Sequence, residues 1–197
     1  MSTIPLQHIE NEAAWTLPSK GRVGMYSLII AETAVFSIFV VAYIYYMGRD
    51  VHGPTPKILE LPVFGTIFLL SSSIFIWLAE QAIEHGQMAK FKLFWSITVA
   101  EGTFFLVDTG LEWNKLINHE HLTVSTNLFG TTYFCLVGLH ATHVIVGLLL
   151  LLIVLILAFV NKLTVAHAER VQVLGLYWHF VDAVWVVVFT VVYLVSR

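Results

Sequence analysis

Tyr177-Trp178-His179-Phe180-Val181-Asp182-Ala183-Val184-Trp185 sets an imidazole and a carboxylate three residues apart, inside a C-terminal run that is otherwise apolar from about 171 to 195. A helix rises about 1.5 Å per residue, so some 20 apolar residues cross the roughly 30 Å of bilayer hydrocarbon. The run is therefore long enough to span. Ionisable groups at that depth are costly, and where they persist they face protein partners or carry function. The fold turns on what meets His179 and Asp182.

Working outward, four more runs of similar character lie at about 23–47, 62–84, 91–111 and 128–160. None alternates with period two, which favours helices over barrel strands. The chain of 197 residues is 58% hydrophobic and 12% charged, with a mean hydropathy of +0.82, outside the range of soluble domains. The fold class expected is all-α: one integral membrane bundle of five transmembrane helices over 23–197, preceded by a polar arm at 1–22. That arm has no apolar core of the kind a cleaved signal needs. The connections are short, with Gly53-Pro54 and Pro56 in the first and His85-Gly86-Gln87 as a tight second. Lys20, Arg22, Lys90, Lys92, Lys162 and Arg170 fall on the N-terminal side, against Arg49, Lys57, Lys115 and Arg197 on the other. The positive-inside rule then puts the N-terminus in the cytoplasm and the C-terminus outside.

Four helices carry ionisable groups to about the same depth: Glu32, Glu101, the pair His140 and His143, and the pair His179 and Asp182. Residues at i and i+3 share a helix face, so each pair presents two polar groups together. A Glu32 carboxyl bonded to an imidazole would satisfy both away from water. Two readings stand: structural polar links between helices, or a proton-active or ligand-linked role. Asp108 and Glu112 are expected near the outer interface, and Glu101 needs a donor. Ser71-Ser72-Ser73 is read as packing, bonded back to carbonyls of its own helix. Gly138 and Gly147 are read as points of close helix approach, Cys135 as a small core residue, and the loop histidines His8, His52, His85, His119, His121 and His167 as solvated. Tyr43, Tyr45, Tyr46, Trp113 and Tyr193 fit an aromatic belt.

Several chemistries lose ground on counting. With one cysteine, neither a disulfide framework nor a multi-cysteine metal site forms within one copy. No His-Glu-x-x-His and no Gly-x-Ser-x-Gly motif is present, so no catalytic residue and no metal ligand is assigned. His140, His143, His179 and Glu32 would make a mixed metal site only if they converged. A net charge of -3 without a basic cluster argues against nucleic acid.

Four motifs in order resemble one family. Tyr177 to Asp182 with Val184-Trp185 resembles the last helix of subunit III of haem–copper terminal oxidases. Gly138-Leu139-His140-Ala141-Thr142-His143-Val144 with Gly147 resembles that family's Gly-Phe-His-Gly-x-His-Val-x-x-Gly helix, with Leu139 and Ala141 departing from it. Arg22-Val23-Gly24-Met25 followed by Glu32 resembles the helix that holds the family's carbodiimide-reactive glutamate. Glu112-Trp113 fits its Glu-aromatic pair. Glu101 and Asp108 have no counterpart.

The resemblance covers the chain from Arg22 and implies the short five-helix form. It implies an accessory subunit of the bacterial cytoplasmic (inner) membrane, with no cofactor of its own and with haem and copper in partner subunits. Those partners would be the catalytic subunit I and subunit II, in an oxidase that reduces oxygen to water and translocates protons, with a larger respiratory supercomplex as a further setting. Bound phospholipid and support of proton uptake are also implied. Carried over by residue, Glu32 would be the buried carboxyl, with His140, His143, His179 and Asp182 as polar neighbours, and Arg22, Arg170 and Trp178 as contacts for phospholipid. The 53–62 loop resembles the quinol-oxidase branch, whereas Glu32 suits the cytochrome c branch; a nitric oxide reductase-associated complex is a third setting. A self-standing proton or solute transporter is the alternative of another class, disfavoured by an odd helix count and the lack of an inverted repeat.

Overall fold

The computed structural model describes residues 19–49 and 53–196. The polar arm at 1–18, with His8, and the loop residue His52 lie outside that range. Five long helices form the described chain: α1 Lys20–Tyr46, α2 Val63–Glu84, α3 Met88–Asn118, α4 Leu128–Phe159 and α5 Ala168–Phe189, the last running on as a π-helical segment, Thr190–Val195. Two short 3-10 turns, Pro56–Ile58 and Val165–His167, sit in connections. No strand occurs among the described residues. A backbone in an apolar medium must satisfy its own polar groups, and the helix does so within one segment.

The helix ends follow local chemistry. Ser19 caps α1 by accepting from the Arg22 amide at 3.4 Å, so Lys20 to Arg22, expected in the polar arm, already belong to the helix. Asn127 caps α4, accepting from Gly130 N at 2.8 Å. Gly86, at φ +71°, makes the left-handed turn between α2 and α3. The third helix starts at Met88, earlier than the 91–111 expected, and runs on to Asn118 because Leu111 to Asn118 holds no glycine or proline to stop it.

Helices α2, α3, α4 and α5 form a ring in which each packs on the next and α5 closes on α2; α1 lies in the groove between α4 and α5. The chain runs alternately up and down. Side-chain contacts fix this: Arg22 Nη2 donates to Gln172 Oε1 at 2.7 Å, Gln172 Nε2 donates to Glu84, and Lys92 Nζ donates to Asn161 Oδ1 at 3.0 Å, all at one end. At the other end Lys115 pairs with Glu60 and Asn127 Nδ2 donates to the Pro54 carbonyl at 2.8 Å. Among the described residues, four helices are long and apolar enough to cross a membrane: α1, α2, α4 and the stretch Val165–Val195. The third is long at 31 residues, but Lys90, Lys92, Glu101, Asp108, Glu112 and Lys115 break its apolar character.

Trp178 is the centre of the core. Its indole is 0% exposed and lies between Gly102 of α3 and Gly147 of α4; a Cβ at these glycines would stand 2.7 Å and 2.9 Å from its ring. Close approach is thus required at Gly147, as expected, and also at Gly102. At Gly138 the nearest atom, on Trp113, would be 3.5 Å from such a Cβ, an ordinary contact. Trp178 as a lipid contact is corrected: a ring with no exposed surface offers none. Cys135 is corrected too, since it is exposed on the outer side of α4. An apolar span carries no polar stripe to tell lipid-facing from core-facing positions, so a small residue there has no readable side.

Candidate functional site

The residues expected to gather around Glu32 separate into three places. At the first, Glu32 on α1 meets His143 on α4, Oε2 to Nε2 3.2 Å. The other ring nitrogen, Nδ1, lies 2.8 Å from the Leu139 carbonyl, which can only accept. Nδ1 therefore carries a hydrogen, and a hydrogen bond at Nε2 needs one more proton, held by either the ring or the carboxyl. The side chains are 14% (His143) and 27% (Glu32) exposed, so the carboxyl is half-buried where full burial was expected. Both line a groove of about 300 Å³ whose other walls include Met25, Leu28, Val146 and Leu150. Phe36 packs on the imidazole, ring centres 4.9 Å apart.

At the second place, α2 meets α5. Ser73 Oγ lies 3.1 Å from His179 Nδ1 and donates to Asp182 Oδ2. Asp182 is 3% exposed, and its other oxygen, Oδ1, has no hydrogen-bond partner among the described residues. Ser72 lies alongside, but its hydroxyl is committed to the Leu69 carbonyl at 2.6 Å while it accepts from Trp178 Nε1 at 2.8 Å. Ser71 donates to Glu101 Oε1 at 2.9 Å, the donor that Glu101 needed. The serine triplet thus does more than the within-helix bonding expected of it: its three hydroxyls tie α2 to α3 and α5. Sequence could have suggested this, because three consecutive serines spread around a helix and reach different neighbours.

His140 stands apart at the third place. Its ring is 0% exposed, stacks on Trp185 with centres 5.0 Å apart, meets Phe105 edge-on at 5.8 Å, and has no hydrogen-bond partner on either nitrogen among the described residues. It is not a neighbour hydrogen-bonded to Glu32, since its side of α4 faces the ring of helices while His143 faces α1. Among the described residues no three His, Cys, Asp or Glu side chains come together as a metal site.

Two further polar groups escaped sequence reading. Glu80, one turn before the end of α2, lies with Arg22, Tyr26, Gln172, Leu176 and His179 around a cleft of about 220 Å³. Its partners are on α1 and α5, distant in sequence. Tyr193, read as a belt residue, is fully buried; it donates to both oxygens of Glu112, at 3.0 and 3.1 Å, and lies 3.3 Å from the Tyr133 hydroxyl. Glu112, expected in interfacial water, has a protein donor instead. Arg22 faces Gln172, and Arg170 is exposed at the same end.

A family model described as cytochrome c oxidase subunit III matches residues 16–197. The cytochrome c oxidase subunit 3 of Alkalihalophilus pseudofirmus is 34% identical over 185 residues, covering 92% of this chain and 90% of that one. Its counterpart in Synechocystis is 34% identical over 186 residues, covering 90% of this chain and 76% of that one. The quinol oxidase subunit 3 of Bacillus spizizenii is 30% identical over 179 residues, with 88% and 86% covered. With its paired intramembrane histidines, its Glu32 contact and a match running from the N-terminal arm to the last residue, the chain belongs to the cytochrome c oxidase subunit III family.

Proposed function

We propose that the chain is the non-redox accessory subunit III of a bacterial respiratory haem–copper oxidase, packed beside the catalytic subunit I and subunit II, which carry the haem and copper. The family match over 16–197 is the observation that carries this. The polar groups inside the bundle suit a supporting role, because most link one helix to another: Glu32 with His143, Ser73 with Asp182, Tyr193 with Glu112. The subunit crosses the cytoplasmic membrane five times, N-terminus inside. Support for α3 as the fifth crossing is geometric: α2 ends beside Gln172 at one end of the bundle and α4 starts beside Pro54 at the other, so the helix between them traverses it.

Phospholipid and proton roles belong to the same proposal. The groove beside Glu32 and His143 has mostly apolar walls, as an acyl chain needs, and Arg170 and Arg22 stand at one end of the bundle, where cations reach phosphate. Glu32, His140, His143, His179 and Asp182 form the polar interior through which the subunit supports proton uptake by its neighbour. Quinol as the electron source is a second reading, favoured by the relative in Bacillus spizizenii.

Affinity purification of the tagged chain from its native membrane tests the proposal. Haem absorbance and copper are expected in the co-purifying large subunit, with oxygen consumption driven by reduced cytochrome c or by quinol. Recovery of the chain as a stable species with no haem-bearing partner would overturn it.

A further inference from the structure

The Ser73 junction is the inner end of a file of polar groups that begins at the Arg22 end of the bundle. There, Arg22 and Tyr26 of α1, Glu80 of α2 and Gln172 and His179 of α5 surround the 220 Å³ cleft. A water occupies about 30 Å³, so the cleft has room for several. From Gln172 to His179 is seven residues, or about 10 Å along the helix axis. His179 is half-buried at its floor. Its Nδ1 faces Ser73 at 3.1 Å, and the Ser73 hydroxyl donates to Asp182. Beyond Asp182 the file stops. Trp178, Trp185, Phe105 and the partnerless His140 fill the core there, each 0 or 1% exposed.

We propose that Asp182 is a proton-loading site of this subunit, filled and emptied from the Arg22–Glu80 cleft through His179 and Ser73. The step balances in one pass. A proton from water in the cleft bonds to His179 Nε2; the Nδ1–H bond breaks as that proton moves to Ser73 Oγ; the original Ser73 hydroxyl proton moves to Asp182 Oδ2. Asp182 is then neutral, Ser73 is again a hydroxyl, and His179 is neutral with its hydrogen on Nε2. Running the same steps backward returns the proton to the cleft with no ring flip, as suits a blind store open to one side.

A serine hydroxyl is the link such a relay needs, because it donates to the carboxylate while accepting from the imidazole. Asp182 Oδ1 has no hydrogen-bond partner among the described residues, and Oδ2 takes the Ser73 hydroxyl. The charged and titratable groups around α5 are Arg22, Tyr26 and Glu32 on α1, Glu80 and Glu84 on α2, Glu101 on α3, and His140 and His143 on α4. Arg22 and Glu80 both line the cleft.

The inference deepens the proton role given above and takes from it only the identity of the complex. Infrared difference spectra of the intact complex, recorded across a pH series in H2O and in D2O, test it. A protonated-carboxyl C=O band is expected that grows as pH falls and shifts in D2O. It is lost in Asp182→Asn. In Ser73→Ala it persists, with deuterium exchange slowed by an order of magnitude or more. A titrating band that survives Asp182→Asn overturns the proposal, as does exchange equally fast in wild type and Ser73→Ala. If Asp182→Asn fails to assemble, the Ser73→Ala exchange rate with 13C-labelled aspartate decides. Should the chain purify without a haem-bearing subunit, the accessory reading falls, while the same spectra on native membranes still report on Asp182.

Discussion

His143 Nε2 lies 3.2 Å from Glu32 Oε2 across the seam between α4 and α1, while the imidazole's other nitrogen is committed to the Leu139 carbonyl at 2.8 Å. A carboxyl in a groove with mostly apolar walls is a target for a hydrophobic carbodiimide. Glu32→Gln is expected to abolish labelling of the chain, located by mass spectrometry of its peptides, and His143→Gln to change the labelling rate without moving its position. Equal labelling of wild type and Glu32→Gln would place the reactive carboxyl elsewhere.

Trp178 lies between two glycines, which makes its fit sensitive to one methyl group on either side. Gly102→Ala and Gly147→Ala should each cost about 1–3 kcal/mol through overpacking. Gly138→Ala, with an ordinary 3.5 Å contact, should be near neutral. Thermal unfolding of the complex in one detergent, compared across the three variants, gives the ranking.

His140 has no hydrogen-bond partner among the described residues in a fully buried site, and its ring stacks on Trp185. Replacing a buried polar group by an apolar one of similar shape is nearly neutral or stabilising when no bond is lost. His140→Phe is therefore expected to leave melting unchanged or raised. A fall of several degrees would show that an imidazole nitrogen holds something essential.

Tyr193 and Lys115 offer a contrast between buried and exposed partners of carboxylates. Tyr193→Phe removes the hydroxyl that donates to both Glu112 oxygens and should cost about 1–3 kcal/mol. The Lys115–Glu60 pair is exposed, 47% and 75% at the side chains, so Lys115→Ala should cost less than about 1 kcal/mol. Denaturation midpoints of the two variants in the same complex compare them directly.

Helix number and order, and the intramembrane residues Glu32, His140, His143, His179 and Asp182, are legible in the sequence because run length and the cost of buried charge are properties of a single segment. Helix ends are less so: α3 runs through Glu112 to Asn118 because nothing in that stretch breaks it, although its charges look like an interface. Partners are least legible. Ser71, Ser72 and Ser73 read as packing, yet they reach Glu101, Trp178 and Asp182, on helices up to 109 residues away. Cys135 read as core and faces outward.

Composition and periodicity by themselves determined that this chain is a helical membrane bundle with acids and imidazoles at depth, since a lone segment already carries its own hydrogen bonding and solubility. The tertiary structure alone decided that those groups divide into the Glu32–His143 pair, the His179–Ser73–Asp182 file and a solitary stacked His140. The physical reason is rotational: a helix that is apolar all round can turn any face inward, and only packing against its neighbours, here Trp178 between Gly102 and Gly147, fixes which side chains meet.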